Sequence, residues 1–253
     1  MGLKEAGLRE SLRSVSTVSA IPDSELSDFW PTDEGSGATV GNANSNRDAT
    51  ISGATWQTGL GYGDAYLLYD GTDDVTNVSD AAFGDADLTH AVWFRPDTSD
   101  ADPTYVISSG FDTETMSWQV TYSGQGNQEV RIFLNNKASG GDNISLGGVD
   151  QFTVTEGQWA FVAFTCDITA NEAIFYGALQ SESSISQLDS SSDYQDDDGG
   201  NANLDEIDFG ARDADGVGDH FDGAIDAPQY GIGQVQSQSD INNFFEGTRG
   251  LYE

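Results

Sequence analysis

The stretch from His220 to Tyr252 constrains the fold more than any other part of the sequence. Its first part, Phe221 to Ile232, alternates apolar and polar residues with period two, which predicts a β-strand. Its second part, Ser239 to Gly247, starts with a capping residue and spaces its apolar residues as a helix does, which predicts a short helix. A strand that comes last in the chain needs earlier strands to pair with, so the sequence predicts a domain built around a sheet.

From Asp28 onwards the same pattern repeats, and it predicts an all-β domain. Short apolar segments alternate with turns rich in Gly, Asp, Asn and Ser, which is typical of sandwiches and jelly rolls. Strands are predicted at Phe29–Trp30, Ala49–Ile51, Ala65–Tyr69, Val75–Val78, Leu88–Phe94, Tyr105–Ser108, Ser117–Tyr122, Val130–Leu134, Phe152–Val154, Trp159–Cys166, Ala173–Tyr176, Leu204–Phe209 and Phe221–Ile232. The run from Asp189 to Asn203 is predicted to be a long exposed loop.

The strand that starts at Trp159 is apolar on both of its faces. Phe161 and Ala163 share one face with Trp159, whereas Val162 and Phe164 share the other. This pattern predicts a central strand that is covered on both sides.

The chain is strongly acidic, with 43 Asp and Glu residues against nine Lys and Arg and a formal net charge of -34. This charge excludes nucleic acid and anionic membranes as partners, because almost no cations are present to neutralise phosphate. We interpret it as an adaptation to very high salt, where the screening length falls to about 3 Å. Cys166 is the only cysteine, so no intrachain disulfide can form, and we expect it to be a small buried residue.

The first residues, 1–22, are predicted to form a helix followed by a linker, ahead of a domain at 23–253. The helix carries the apolar residues Leu3, Leu8, Leu12 and Val15 and the cations Arg9 and Arg13. Because a short helix alone is marginal in water, we interpret it as a docking element for a sister subunit or another protein. No secretion signal and no apolar segment long enough to span a membrane is found, so we expect a protein that is made and kept in the cytoplasm or that leaves by a route other than secretion.

Six segments occur in an order that resembles one known family of domains. They are Phe29 to Gly37, Ala54 to Gly59, Leu68 to Gly71, Ala91 to Pro96, Gly157 to Thr165 and Phe221 to Asp226. In this order they resemble the laminin-G-like, concanavalin-A-like jelly roll over nearly all of the chain from Asp28 to Tyr252. The resemblance implies a sandwich of two antiparallel sheets.

Laminarinase-type hydrolases share this fold and carry Glu-x-Asp-x-(x)-Glu on one strand. Glu206 and Asp208 match the first two acids, but Gly210 takes the place of a third on the same face. A retaining hydrolase needs two carboxylates about 5–5.5 Å apart. We therefore interpret this strand as structural and expect no enzymatic activity. His90 and His220 have no motif partners and are also interpreted as structural.

The resemblance also implies calcium at a loop rim, since laminin-G-like domains often hold it there. Calcium and magnesium take oxygen ligands, and acidic loops of this chain offer them. Three loops are candidates, around Asp70, Asp73 and Asp74, around Asp193 to Asp198, and around Asp213 to Asp222. We predict a calcium or magnesium site among Asp70, Asp73, Asp213, Asp215 and Asp222. Asp226, farther along the last strand, is interpreted as a sheet-edge acid.

This jelly roll commonly presents glycan- or protein-binding loops at its rim, and aromatic side chains there can stack on sugar rings. Tyr194, which lies among Ser and Asp residues, is the best exposed candidate, with Tyr62 and Tyr122 as further ones. The alternative for each of these aromatic residues is packing in the core.

The start of the chain also resembles laminin-G-like structural proteins of tailed viruses of halophilic archaea. That resemblance implies a non-enzymatic virion protein of the tail, fibre or head surface. We expect a homo-oligomer that binds other virion proteins through its N-terminal helix and contacts a host-surface glycan or glycoprotein. The alternative is a cell-surface or secreted carbohydrate-binding protein of a halophilic archaeon. A glycoside hydrolase is the least favoured interpretation.

Overall fold

The computed structural model describes residues 27–45, 47–79, 87–98, 103–109, 118–123, 128–134, 144–148, 151–194, 206–211 and 219–253. Within these ranges the chain forms strands β1 Asp28–Phe29, β2 Thr39–Val40, β3 Ala49–Ser52, β4 Thr55–Thr58, β5 Ala65–Asp70, β6 Val75–Ser79, β7 Leu88–Pro96, β8 Thr104–Ser109, β9 Trp118–Ser123, β10 Glu129–Leu134, β11 Ile144–Gly147, β12 Ala160–Asp167, β13 Glu172–Leu179, β14 Ser186–Ser191, β15 Glu206–Phe209 and β16 Asp222–Ile232. Helix α1, Gln238–Thr248, and a 3₁₀ turn, Arg249–Tyr252, close the chain.

The strands form two antiparallel sheets. Sheet A has the order β14-β13-β12-β7-β16-β5-β4, and β1 pairs with β16 beside this path. Sheet B has the order β11-β10-β9-β8-β15-β6-β3-β2. The predicted all-β jelly-roll sandwich is thereby confirmed. The predicted N-terminal helix and linker, residues 1–22, lie outside the described residues.

The inner faces of the two sheets enclose the main core. Its members come from both sheets and include Val92, Phe94, Val162 and Phe164 from sheet A and Val106, Val120, Ile132 and Ile207 from sheet B. β12 is paired on both sides, with β13 and with β7, and its two faces are buried in different clusters. The prediction of a central strand covered on both sides is confirmed.

Helix α1 covers the outer face of sheet A and builds a second core there. Trp93, Trp159 and Phe161 point outward from the sheet and pack against Phe245 and Tyr252 from the C-terminal segment. Ser237 caps the helix, because its side chain accepts a hydrogen bond from Asp240 N. Trp93 Nε1 donates to Thr248 Oγ1 over 3.0 Å, which fixes the other end of the helix. The predicted C-terminal helix is confirmed, and its partner is a sheet face.

In the described part of the chain, four strands were not predicted, and one predicted strand does not form. β2, β4, β11 and β14 are short or polar, so they lack the apolar alternation on which strand prediction depends. Asp189 to Ser191 belong to β14, so the predicted loop starts later than expected. Phe152–Val154 makes only an isolated bridge at Thr153. Cys166 is buried, as predicted.

One buried carboxylate, that of Asp28, holds strand β1 in place. Asp28 accepts hydrogen bonds from Asn42, Ser45 and both Nε and an NH2 nitrogen of Arg47. Trp30 Nε1 donates to the carbonyl of the same arginine over 2.8 Å. This network ties β1, which is only two residues long, to the loop between β2 and β3. In the part of the chain that the structure describes, no helix is long and apolar enough to cross a membrane.

Candidate functional site: an acidic pocket at the end of sheet A

A pocket of about 310 Å³ opens at the end of sheet A where β5 and β7 finish and β16 begins. Four of the residues that line it are aspartates. The complete lining is Gly53, Thr55, Leu68, Tyr69, Asp70, Asp74, Asp97 and Asp222. We call this feature the acidic pocket.

Strand pairing brings two of the carboxylates face to face. Asp70, the last residue of β5, is the direct cross-strand partner of Asp222, the first residue of β16. By alternation both share the outer face with Leu68 and Ala224, which pack in the second core. Asp97 follows β7, the other neighbour of β16, and its N–H donates to the Asp222 carbonyl over 3.0 Å. Like charges directly opposite each other destabilise a sheet, so this arrangement favours a bound cation.

The turn between β5 and β6 adds two more acids. Asp70 Oδ1 accepts from Thr72 N over 2.8 Å, and the Asp74 carboxylate accepts from Asp70 N over 2.8 Å. These two hydrogen bonds hold the turn in a closed conformation. Carboxylate oxygens of Asp70, Asp73 and Asp74 all lie within 4.8 Å of one another. The predicted residues Asp70, Asp73 and Asp222 are therefore brought to one place.

Two glycines allow the aspartates to approach so closely. Gly53 has a positive φ of 85°, and a Cβ there would lie 1.9 Å from Asp74 Oδ1. Gly71 has a φ of 73°, and a Cβ there would lie 2.8 Å from the Cβ of Asp222. Since any larger residue would fill the space, both positions require glycine.

Burial makes Asp74 the most perturbed acid of the pocket. It is 5 % exposed, and burial, followed by the charges of Asp70 and Asp73, raises the pKa of its carboxyl above the ordinary range. The hydrogen bond from Asp70 N and the nearby His220 act in the opposite direction and lower this pKa. His220 Nδ1 also lies 3.3 Å from the Asp74 carbonyl oxygen. This contact agrees with the structural role expected for His220.

Arg95 stands beside the pocket and holds Asp97 in place. Its Nε and an NH2 nitrogen lie 2.8 and 2.9 Å from the two oxygens of Asp97. Its guanidinium also lies 5.5 Å from the ring centre of Tyr66 and 5.3 Å from that of Trp159, in cation–π contact. The hydrogen bond to Asp97 is the main reason that the pKa of Arg95 is raised. One side of the acidic pocket is thus lined by a neutralised carboxylate next to aromatic rings.

Not every acid of the predicted metal set lies in the acidic pocket, and the pocket contains an acid outside that set. Asp213 and Asp215 lie outside the described residues. Asp97 was not predicted, although it directly follows the Ala91 to Pro96 segment. Pairing Arg95 and Pro96 with the residues after Asp222 could have found it, because β7 and β16 are antiparallel neighbours.

The predicted exposure of Tyr194 is wrong, and the aromatic glycan candidates Tyr194 and Tyr122 pack in the core, which was the alternative for them. Tyr194 is 0 % exposed and packs in the main core, where it is a hydrogen-bond partner of the Cys166 thiol. Tyr122 is also buried, and its hydroxyl donates to the Val154 carbonyl over 3.0 Å. Its alternating position in β9 points it between the sheets. Tyr62 is half-buried, with its ring against Phe29 and Phe244. None of the three lies in the acidic pocket.

The hydrolase-like acids on β15, Glu206 and Asp208, are bridged by the side chain of Asn77. Asn77 Nδ2 donates to Glu206 Oε2 over 3.0 Å and to Asp208 Oδ1 over 2.7 Å, and Asp208 is buried. The third position of the motif cannot hold an acid. Gly210 has a φ of 83°, and a Cβ there would lie 2.2 Å from the ring of Tyr69. These contacts favour the structural interpretation of the strand.

Two antiparallel sheets, a jelly-roll order of strands and a rim pocket define a lectin-like β-sandwich. A family model for the concanavalin A-like lectin/glucanases superfamily, Laminin_G_3, matches residues 70–229. Because this match covers more than half of the sequence, the chain belongs to that family. A search of curated proteins found no significant match.

Solved structures with the same fold come from different kinds of protein. Domain 4 of AbnA, a GH43 extracellular arabinanase from Geobacillus stearothermophilus in complex with arabinotriose, is 14 % identical with a TM-score of 0.62, and the match covers 87 % of this chain and 98 % of that domain. The botulinum neurotoxin serotype D binding domain is 14 % identical with a TM-score of 0.63, and the match covers 89 % of this chain and 52 % of that one. The chain thus spans about half of the toxin domain. At these identities the likeness concerns the fold.

Proposed function

We propose that this chain is a non-enzymatic carbohydrate-binding domain whose acidic pocket holds a divalent cation and one end of a glycan. The observation that carries the proposal is the direct pairing of Asp70 with Asp222 in a pocket that also contains Asp74 and Asp97. Like charges at directly paired positions of a sheet repel one another, and a bound cation or hydroxyl donors would remove that cost.

The donor set of the pocket suits calcium or magnesium. Asp70, Asp73 and Asp74 offer oxygens within 4.8 Å of one another, and Asp222 stands across the strand pair from Asp70. All are hard oxygen ligands, and calcium takes six to eight of them, which leaves positions for water or sugar hydroxyls. When bound, the cation would supply positive charge to a pocket that is otherwise negative.

The size and surroundings of the pocket fit a small sugar unit. Ligand pockets span roughly 300–1,000 Å³, and this one, at about 310 Å³, lies at the lower end. Leu68, which is half-buried, supplies apolar contact, and Asp97, held by Arg95, supplies a fixed acceptor for sugar hydroxyls. The arabinotriose bound to the arabinanase domain of the same fold makes a pentose oligosaccharide a reasonable first ligand to test.

Calorimetric titration of chelator-treated protein with calcium chloride in molar potassium chloride tests the cation. We expect one site in the native protein and an affinity reduced by at least about tenfold in Asp70→Asn and Asp222→Asn. Glu172→Gln is the matched control, because Glu172 is exposed on β13 at the opposite side of sheet A. Absence of binding heat and of thermal stabilisation in the native protein would remove the cation from the proposal.

Glycan binding has its own test. The protein is applied to a glycan array and titrated with arabinotriose in molar salt, with calcium or with chelator. Glycan binding that is lost when Asp97 or Asp222 is substituted supports the acidic pocket as the binding site. Absence of binding to every glycan on the array would leave a purely structural role for the domain. Sugar release from arabinan that is lost in Glu206→Gln would instead support a hydrolase.

The biological setting proposed for this domain is the surface of a virion that infects a halophilic archaeon. The acidic composition supports high salt, and the predicted N-terminal helix supports docking of a homo-oligomer to other virion proteins. The alternative is a cell-surface or secreted carbohydrate-binding protein, which the same pocket would serve equally well. Mass spectrometry of purified particles separates the two settings, and absence from the particles contradicts the first. Deletion of residues 1–19 should abolish incorporation while the sandwich still folds.

A further inference from the structure

Another buried aspartate, Asp226, lies in the middle of sheet A, and no cationic side chain of the described residues pairs with it. It sits at a bulge of β16, where the pairing with β7 shifts between Asp226 and Gln229, and it is 0 % exposed. The interpretation as a sheet-edge acid is therefore wrong. Its Oδ2 accepts from Tyr62 N over 2.7 Å and from the Tyr252 hydroxyl over 2.8 Å. Within the described residues no ion pair reaches this carboxyl group.

The other oxygen, Oδ1, contacts the hydroxyl of Thr32, and the protons around that hydroxyl can be counted. A threonine hydroxyl has one proton to donate and two lone pairs that accept. Thr32 Oγ1 lies 2.7 Å from the Pro31 carbonyl, which can only accept, and it accepts from Ala227 N over 3.2 Å. If the hydroxyl proton points to Pro31, the contact with Asp226 needs a proton from the carboxyl group.

We propose that Asp226 is a neutral carboxylic acid in the folded protein, that it donates its proton to Thr32 Oγ1, and that loss of this proton loosens the C-terminal segment 238–252. The proton stays on Oδ1, and Oδ2 remains free to accept from Tyr62 N and Tyr252. The Thr32 hydroxyl, the Pro31 carbonyl, the Tyr62 N–H and the Tyr252 hydroxyl then all have hydrogen-bond partners, and no charge is buried.

The electrostatic environment agrees with this assignment. Burial, acting against four hydrogen bonds, raises the pKa of Asp226 from its ordinary 3.8 to about 7. Among the described residues, the ionisable side chain that contacts Asp226 is that of Tyr252, and burial raises the pKa of Tyr252 far above its ordinary value. Asp28 is the contrasting case, since it is equally buried but is held by Arg47.

The bonds around Asp226 explain why its proton would affect the C-terminal segment. Tyr252, which donates to Oδ2, also stacks on Trp93 with ring centres 4.3 Å apart. The neighbouring Leu251 carbonyl accepts from Gly61 N over 2.9 Å. A buried charge without a cation is costly. The ionised protein can lower that cost by letting water reach Asp226, and the nearest route is release of the Tyr252 end.

The titration of Asp226 is measured directly by carbon-13 NMR of the aspartate carboxyl groups in molar salt. We expect a midpoint near pH 7 for Asp226. Tyr252→Phe removes a donor that favours the anion, so it should move the midpoint to higher pH. A carboxyl that titrates at or below pH 4 in the native protein would overturn the proposal.

Hydrogen exchange of the amides in α1 tests the loosening. Corrected for the intrinsic rates, protection should fall by up to about tenfold per pH unit as the pH rises from 5.5 towards the midpoint near 7, and it should level off between there and pH 8.5. Asp226→Asn preserves the proposed pattern, because its NH2 group can donate to Thr32 while its oxygen accepts from Tyr62 N and Tyr252. This variant should fold and should show protection that is independent of pH.

The matched control is Asp28→Asn, which removes a charge that the structure pairs with Arg47. It should lower stability at every pH and leave the pH dependence of α1 unchanged. Protection in Asp226→Asn that still falls with pH as in the native protein would contradict the proposal. So would an Asp226→Asn variant that is less stable at pH 5.5 than Asp226→Ala.

Discussion

Asp28 lies at the start of β1 with its side chain 1 % exposed, whereas that of its partner Arg47 is 26 % exposed. Removing one member of a buried ion pair leaves a buried charge without a partner, which typically costs about 3–5 kcal/mol. We expect Arg47→Gln to lower the free energy of unfolding by roughly 3 kcal/mol. Denaturant unfolding in molar salt measures this loss.

Arg131→Gln is the control for this prediction. Arg131 also pairs with an acid, Glu129, over 2.8 Å, but its side chain is 36 % exposed. Its partner Glu129 is itself largely buried, with 9 % of its side chain exposed, but Arg131 makes one hydrogen bond to it where Arg47 makes two to Asp28, so the loss should be smaller than in Arg47→Gln. Equal losses in the two variants would contradict the role given to the Asp28 network.

Asp226 makes stability depend on pH in the opposite direction from most acids. Its folded pKa, about 7, lies above the ordinary 3.8, so the folded state holds the proton more tightly than the unfolded chain does. The stabilisation is fully present below about pH 4 and is lost as the pH rises through 7. Denaturant unfolding at pH 5.5 and 8.5 should therefore give a lower free energy of unfolding at the higher pH, and Asp226→Asn should remove this contribution.

At the scale of elements, helix α1 stabilises the folded protein through its aromatic contacts with sheet A. Phe245 is 0 % exposed, and its ring centre lies 5.4 Å from Trp93 and 5.8 Å from Phe161. Truncation of a buried phenylalanine typically costs about 3–5 kcal/mol. We expect Phe245→Ala to lose about that much, as measured by denaturant unfolding. The exposed neighbour Asn243 supplies the control, since Asn243→Ala should change stability by no more than about 0.5 kcal/mol.

The elements also show what the sequence could and could not predict. β7, β12 and β16 carry strong apolar alternation, and their positions follow from it. β14, with the sequence Ser-Gln-Leu-Asp-Ser-Ser, carries almost none. It becomes a strand because it pairs with β13, and Asp189 Oδ2 accepts from Gly147 N at the edge of sheet B. Such a strand is set by contacts distant in sequence, which periodicity does not contain.

The residues of the acidic pocket also divide into those that the sequence could predict and those that it could not. Asp70, Asp73 and Asp222 could be found because acidic residues at turns are visible in the sequence. Asp97 could not be added without the register between β7 and β16. Tyr194 was misjudged because polar neighbours suggested exposure, whereas the chain after β14 turns this single aromatic ring into the core.

For the whole molecule, the net charge of -34 makes stability depend on salt. At 0.1 M salt charges interact over about 10 Å, and at 1 M over about 3 Å, so self-repulsion of the folded state weakens as salt is added. We expect the thermal unfolding midpoint to rise steadily between about 0.1 and 3 M potassium chloride. Calorimetry with chelator present keeps this effect separate from cation binding in the acidic pocket. A midpoint that does not change with salt would contradict the high-salt adaptation.

The position of β16 has a consequence for how the protein folds. β16 follows the other described strands in sequence, yet it lies between β7 and β5 and also pairs with β1. The middle of sheet A is therefore completed only when segments distant in sequence come together, and until then β5 and β7 expose backbone groups and apolar side chains. Folding is expected to be slow, as it is in sandwiches rich in contacts between distant segments. During that interval the hydrated acidic side chains around the exposed strands would limit association between partly folded molecules.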